Sequence, residues 1–248
     1  MSALHTALNG RAPLWGGWIT GPTVLGPEEF ARAGYDYIGF DAQHSYLDDA
    51  DIATLLRQSE HLPIATAVRL PNADPAPIGR VLDAGADAVI IALIETAEQA
   101  AAAVAASRYP PAGNRSFGPL RPGLGRDLAG LESRAAVFAM IETAAALDDV
   151  AQICAVPGLA GVYVGPADLA ISMGVDVADS TSHPDMLAAL TRIRQAAADA
   201  GVIAAVHGGS GTVGAMLAGL DYQMITLAAE SQALRRGAQA HLDEARRR

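Results

Sequence analysis

Short apolar runs rich in β-branched residues recur along the chain. They cover residues 14–19, 37–40, 64–70, 88–93, 137–141, 161–164, 202–206 and 223–227. Runs of this length, bounded by turn-forming residues, read as buried strands. Between them Ala and Leu recur at helical spacing, as in residues 48–60, 75–84, 96–107 and 186–200. Regular alternation of strand and helix predicts parallel strands joined by crossover helices. Eight such units predict an α/β fold of the closed (β/α)8 TIM-barrel type, one domain over residues 1–248.

Punctuation supports that reading. Gly34, Gly85 and Gly201 each stand just before a predicted strand, where a left-handed glycine would end the preceding helix. The rhythm breaks between Ser107 and Ala136, where Tyr109-Pro-Pro-Ala-Gly-Asn-Arg115 and Arg121-Pro-Gly-Leu-Gly-Arg126 occur. Long irregular connections in compact domains are usually functional or mobile.

Composition narrows the chemistry. The chain holds no lysine, and its 17 basic residues are all arginine. This excludes a Schiff-base lysine, ordinary pyridoxal-phosphate attachment and a Walker A loop. Net charge is −10, which disfavours nucleic acid and anionic membranes as partners. The single cysteine, Cys154, lies in an apolar helical context and reads as structural. One cysteine permits no internal disulfide, as expected in a reducing cytoplasm. The N-terminal stretch lacks the charged start and apolar run of a signal peptide. Nothing is long and apolar enough to span a membrane. The terminal Arg246 to Arg248 read as a solvated tail.

Active sites of such barrels lie at the C-terminal ends of the strands. The polar residues expected there are Asp41, His44, Arg69, Glu142, Asp168 and His207. Glu142 and Asp168 follow adjacent strands; from spacing alone they read equally as ligands of an oxygen-preferring metal or as helix caps. Gly165-Pro-Ala-Asp168 enters a helix whose amides suit an anion. Asp41 and His44 can form a carboxylate–imidazole dyad. Arg69 ends an apolar strand, where an arginine calls for an anion. His207 reads better as a packed loop histidine than as a rim residue.

Taken in order, Phe40-Asp-Ala-Gln-His44, Val68-Arg-Leu70, Leu82-Asp-Ala-Gly-Ala86, Arg108-Tyr-Pro-Pro-Ala-Gly-Asn-Arg115, Ile141-Glu-Thr143 and Gly165-Pro-Ala-Asp-Leu169 resemble the HpcH/HpaI family of metal-dependent 4-hydroxy-2-oxoacid aldolases. The resemblance implies that Glu142 and Asp168 hold Mg²⁺, Mn²⁺ or Co²⁺. It implies that Arg69 steadies a pyruvate enolate, and that His44 with Asp41 activates a water or hydroxyl. Gly165 and the amides of Ala167 and Asp168 would cradle the pyruvate carboxylate, with Trp18 nearby. Asp83 matches an aspartate donated across a subunit contact. It also implies trimers paired into hexamers, with the last helix exchanged between neighbours. Gln43 departs from the glutamate many members carry there. The acceptor pocket is expected to draw on the long loop with Arg115 and Arg121 and on neighbouring subunits.

The expected activity is reversible retro-aldol cleavage of a 4-hydroxy-2-oxoacid to pyruvate and an aldehyde. Two alternatives stand beside it. One is an acyl-CoA lyase of the malyl or citramalyl type; the other is a non-catalytic barrel that binds an oxoacid.

Overall fold

Eight parallel strands close in sequence order, each hydrogen-bonded to the next and β8 back to β1. They are β1 (Leu14–Ile19), β2 (Tyr37–Asp41), β3 (Ala65–Leu70), β4 (Ala88–Ile91), β5 (Ala136–Ile141), β6 (Gly161–Val164), β7 (Ile203–His207) and β8 (Met224–Ala229). The structure, a computed structural model, describes Leu4 and residues 13–247. Most of the N-terminal segment, with His5, and the final residue Arg248 lie outside the described residues.

The helices that return the chain are α1 (Leu25–Arg32), α2 (Asp49–Gln58), α3 (Pro75–Asp83), α4 (Ala97–Ser107), α5 (Leu128–Arg134), α6 (Ala144–Asp148), α7 (Val150–Cys154), α8 (Pro166–Ser172), α9 (Pro184–Ala200), α10 (Gly211–Gly219) and α11 (Glu230–Arg246). Local chemistry fixes several starts. Asp48 and Asp51 form a reciprocal capping box at α2, and Thr96 and Gln99 do so at α4. Such a side chain satisfies amides that lack a partner in the first turn and contributes about 1 kcal/mol. Gly34, Gly85 and Gly201 take positive φ of 87°, 102° and 69° where helices end, as their positions predict.

The strands alternate strictly between two apolar layers. Ile38, Phe40, Val68, Leu70, Val89, Ile91, Val162 and Val164 face the helices. Tyr37, Ala65, Ala67, Ala88, Ile90, Phe138, Met140, Tyr163 and Ala205 fill the barrel interior. Because the side-chain period of a strand is two, the same parity sends Trp18, Asp41, Arg69, Glu142 and His207 inward at the C-terminal rim. Cys154 is buried among the outer layer, as its context predicts. Burial pushes its thiol up to about 11, so it carries little thiolate.

Strand β4 ends at Ile91, two residues short of the expected end. Leu93 takes a positive φ of 56°, which an extended strand does not permit. The long irregular segment, which contains a short 3-10 turn at Pro122–Leu124 and α5, connects α4 to β5. It therefore lies at the N-terminal end of the strands, away from the rim. Its backbone ties confirm the placement: Leu120 N donates to Asp83 O, and Arg115 N to Arg108 O, both 2.8 Å. No helix among the described residues is long and apolar enough to cross a membrane.

Candidate active site

A cavity of about 590 Å³ opens at the C-terminal rim, lined in part by Trp18, Asp41, His44, Arg69, Gly165 and Asp168. Its floor is set by strand register. Asp41 and Arg69 are direct partners across β2 and β3, and Trp18 lies opposite Gly39 across β1 and β2. A Cβ on Gly39 would stand 2.3 Å from the Trp18 ring, so only glycine there lets the indole lie over β2.

Arg69 and Asp41 form a forked ion pair. Nε donates to Oδ1 at 3.0 Å and Nη2 to Oδ2 at 2.5 Å. Asp41 also accepts the Trp18 indole N–H on Oδ2 at 3.2 Å. The amides of Gln43 and His44 donate to Oδ1 at 2.9 and 3.1 Å. Burial alone would raise this carboxyl, but the Arg69 guanidinium and the two amides hold it below the usual carboxylate range. The dyad expected from spacing is therefore replaced by a different pairing. Asp41 holds the His44 backbone, and its oxygens are taken up by Arg69, its cross-strand partner, rather than by the His44 ring. The ring is left lining the cavity. Gln43 keeps a buried side-chain oxygen without a partner among the described residues.

Glu142 directly follows β5 and is 2 % exposed. The backbone N–H of Leu93 donates to its Oε1 at 2.7 Å. The left-handed turn at Leu93 aims that amide, so the early end of β4 serves the site. Burial raises the Glu142 carboxyl above its ordinary value, and the charge of Asp168 pushes the same way. The Leu93 amide, Arg69 and His44 oppose them. Oε2 lies against Gly165, where an added Cβ would stand 3.0 Å from it. Asp168 lies in the first turn of α8, exposed at the cavity. No side chain caps that helix, so the amides of Ala167 and Asp168 are free to meet an anion.

Among the described residues no group of three or more His, Cys, Asp or Glu could enclose a metal. Two neighbouring carboxylates remain, one with a free oxygen and one exposed. Such a hard, all-oxygen pair fits a divalent cation that keeps water or substrate oxygens as its other ligands.

Several expected residues lie elsewhere. Arg115, expected to serve the acceptor pocket from the long loop, is buried at the end of its own barrel opposite the rim. Its Nη2 meets Asp83 Oδ1 at 2.7 Å, and its guanidinium sits 4.8 Å from the Tyr109 ring centre. Arg121 is there too, 3.1 Å from Glu60. The reason is topological: a segment that leads into a strand cannot reach the rim where strands end. Asp83, the last residue of α3, is likewise outside its own chain's cavity.

Other residues lie in or beside the site without a role assigned to them from the sequence. His207 is not on a packed loop but ends β7 and lines the cavity. Tyr163 lines it as well. Glu230, the first residue of α11, accepts the amides of Thr20 and Gly21 on Oε1, both at 2.8 Å. The inward parity shared with Ile203 and Ala205 was the signal available for His207.

Comparison with known proteins places this geometry. The HpcH/HpaI aldolase/citrate lyase family profile matches residues 16–235. A hydroxypyruvate/pyruvate aldolase of Rhizorhabdus wittichii is 33% identical over 249 residues, covering 99% of both chains. Its namesake in Paraburkholderia phytofirmans is 35% identical, covering 98% of this chain and 97% of its own. The crystal structure of a family protein from Burkholderia cenocepacia superposes with a TM-score of 0.91 at 33% identity, over 99% of this chain and 100% of that one. The eight-stranded barrel, the ordered motifs along it and relatives matched from end to end agree that this chain belongs to the HpcH/HpaI aldolase/citrate lyase family.

Proposed function

We propose that the protein is a divalent-metal-dependent pyruvate aldolase, a carbon–carbon lyase that reversibly cleaves a 4-hydroxy-2-oxoacid to pyruvate and an aldehyde. The observation that carries this reading is the carboxylate pair Glu142 and Asp168, one with an unengaged oxygen and one exposed, beside an arginine whose outer edge is pinned. Asp41 takes the Nε and Nη2 edge of Arg69. Nη1 has no protein partner among the described residues and is left to the cavity.

Glu142 and Asp168 would hold the cation, Mg²⁺, Mn²⁺ or Co²⁺. When bound, it would draw electron density from the 2-oxo group and lower the cost of an enolate. The chain's own residues do the rest. The amides of Ala167 and Asp168, with Gly165 giving clearance, receive the substrate carboxylate. Nη1 of Arg69 meets the oxygen on which enolate charge develops, a fixed cation aimed where charge appears. His44, its backbone held by Asp41, orients the water or hydroxide that removes the C4 hydroxyl proton. The C3–C4 bond then breaks, its electrons pass into the enolate, and the aldehyde leaves. Trp18 closes the wall and holds Arg69 by its ring, 5.5 Å away.

No protein lysine exists to form an imine, so the electron sink must come from elsewhere. Chelation with EDTA should abolish pyruvate release, and Mn²⁺, Mg²⁺ or Co²⁺ should restore it. Full turnover in chelator would defeat the metal reading. Malyl-CoA cleavage faster than oxoacid cleavage would favour the acyl-CoA lyase alternative. A non-catalytic oxoacid-binding barrel would show no exchange of pyruvate protons in deuterated water beyond that of metal alone.

Asp83 and the long loop with Arg115 would act, as the family resemblance implies, toward the cavity of a neighbouring copy in a trimer or hexamer. The exposed α11, which carries Leu234 and Leu242, offers a surface for that assembly. A cytoplasmic setting accords with the lone buried thiol.

A further inference from the structure

We propose that His207 selects for a hydroxylated substrate by donating a hydrogen bond from Nε2 into the cavity. This rests on the aldolase reading and extends it to the substrate class.

Two neighbours fix the ring. Its Nδ1 lies 3.4 Å from the Tyr163 hydroxyl. Its plane stands at 88° to the Trp18 indole with centroids 5.4 Å apart. The Tyr163 hydroxyl is 2.7 Å from Thr226 Oγ1, which is 2.8 Å from the Tyr37 hydroxyl. Three hydroxyls and one imidazole thus form a chain. It begins in the barrel core, where Tyr37, Tyr163 and Thr226 are wholly buried, and ends at the cavity wall.

Proton accounting sets its direction. Among the described residues the Tyr37 hydroxyl has no partner but Thr226, so its proton is assigned to that bond. The Thr226 proton then goes to Tyr163, and the Tyr163 proton to Nδ1 of His207. An imidazole that accepts at Nδ1 carries its own proton on Nε2. Burial, reinforced by the charge of Arg69 and opposed by that of Asp41, lowers the imidazole to about 4. The ring is therefore neutral through the physiological range. It cannot serve as a base at Nε2, and it offers one N–H for which no protein acceptor stands among the described residues.

The substrate's other polar groups are already matched. The carboxylate has the Ala167 and Asp168 amides, and the enolate oxygen has Arg69. The oxygen left for His207 is a hydroxyl, either on C3 of the oxoacid donor or beside the aldehyde of the acceptor. A wall built to bond a substrate hydroxyl disfavours the analogue without it, because the polar group is then left unmatched.

The test compares wild type with His207→Phe, which keeps a flat ring against Trp18, and His207→Gln, which restores a donor. One arm pairs pyruvate or 3-hydroxypyruvate with a common aldehyde. The other pairs glycolaldehyde or acetaldehyde with pyruvate. His207→Phe should lose roughly 10–100-fold in kcat/KM for the hydroxylated partner in one arm, and His207→Gln should recover part of it. The unhydroxylated counterpart should stay within about threefold. The arm that responds identifies which hydroxyl is read. An equal loss for all four partners, or no loss, overturns the proposal. Independently of turnover, proton–nitrogen correlation spectra should show a neutral, Nε2-protonated His207 from about pH 5 to about pH 9. A proton on Nδ1 overturns it as well. Wild type without turnover in any combination would remove the aldolase reading and this selection with it, while the spectra would still report the tautomer.

Discussion

Asp41 gathers five donors on one carboxylate: the Trp18 indole, two nitrogens of Arg69 and the amides of Gln43 and His44. Its neutral replacement leaves a buried guanidinium without its counter-charge. Asp41→Asn should cost about 3–5 kcal/mol at neutral pH, read by urea denaturation. The carboxyl is held below its ordinary value, so its stabilisation is present above the unfolded pKa of about 3.9 and is lost as pH falls through the lower, folded value. The penalty of Asp41→Asn should therefore shrink in acid; a constant penalty would show that Asp41 does not act through its charge. Gly165 makes a second case. A Cβ there meets Met140 Cε at 2.7 Å and Glu142 Oε2 at 3.0 Å. Gly165→Ala should weaken Mn²⁺ binding roughly 10–100-fold by calorimetry while the barrel still folds. Unchanged affinity would argue against Glu142 as a ligand.

Elements aim these residues, and the sequence exposes the elements unevenly. The strands were legible because each is an apolar run bounded by turns, and β1 and β6 have the bounds their residues imply. The end of β4 was not, because nothing in Ala92-Leu-Ile-Glu95 announces a left-handed leucine. Asp41's true partner was hidden too, since Arg69 is 28 residues away in sequence and adjacent only by register. The long segment stands out by its irregular composition, and its end of the barrel follows from counting: it comes after a helix and before a strand. Glu230 shows a coupling invisible to local pattern. The first residue of α11 anchors the turn after β1 through Thr20 and Gly21. Glu230→Ala should cost about 1–3 kcal/mol by leaving those amides unmatched. Faster hydrogen exchange at Thr20 and Gly21 would locate the effect; unchanged exchange there would refute the anchor.

On the scale of the whole molecule, the two ends of the barrel divide their tasks. The rim carries the cavity, and the opposite end carries the Asp83–Arg115 pair and the long loop. A contribution of Asp83 to turnover must then cross from one copy to another. His44→Ala and Asp83→Asn should each be inactive alone, and mixing them should restore part of the activity in mixed assemblies. No recovery, with mixed assemblies verified, would exclude the exchange. The fold class, the rim and the carboxylate pair were legible because parity and strand order are written along the chain. Whether one copy completes another's cavity is not, since surface complementarity leaves no period in a sequence.

The buried state of Cys154 has a practical side. With the sole native thiol shielded and poorly ionised, maleimide chemistry has almost nothing to attack. A cysteine placed at Ser180, on the cavity wall, would accept a single environment-sensitive fluorophore. Its emission would follow oxoacids entering and leaving in real time.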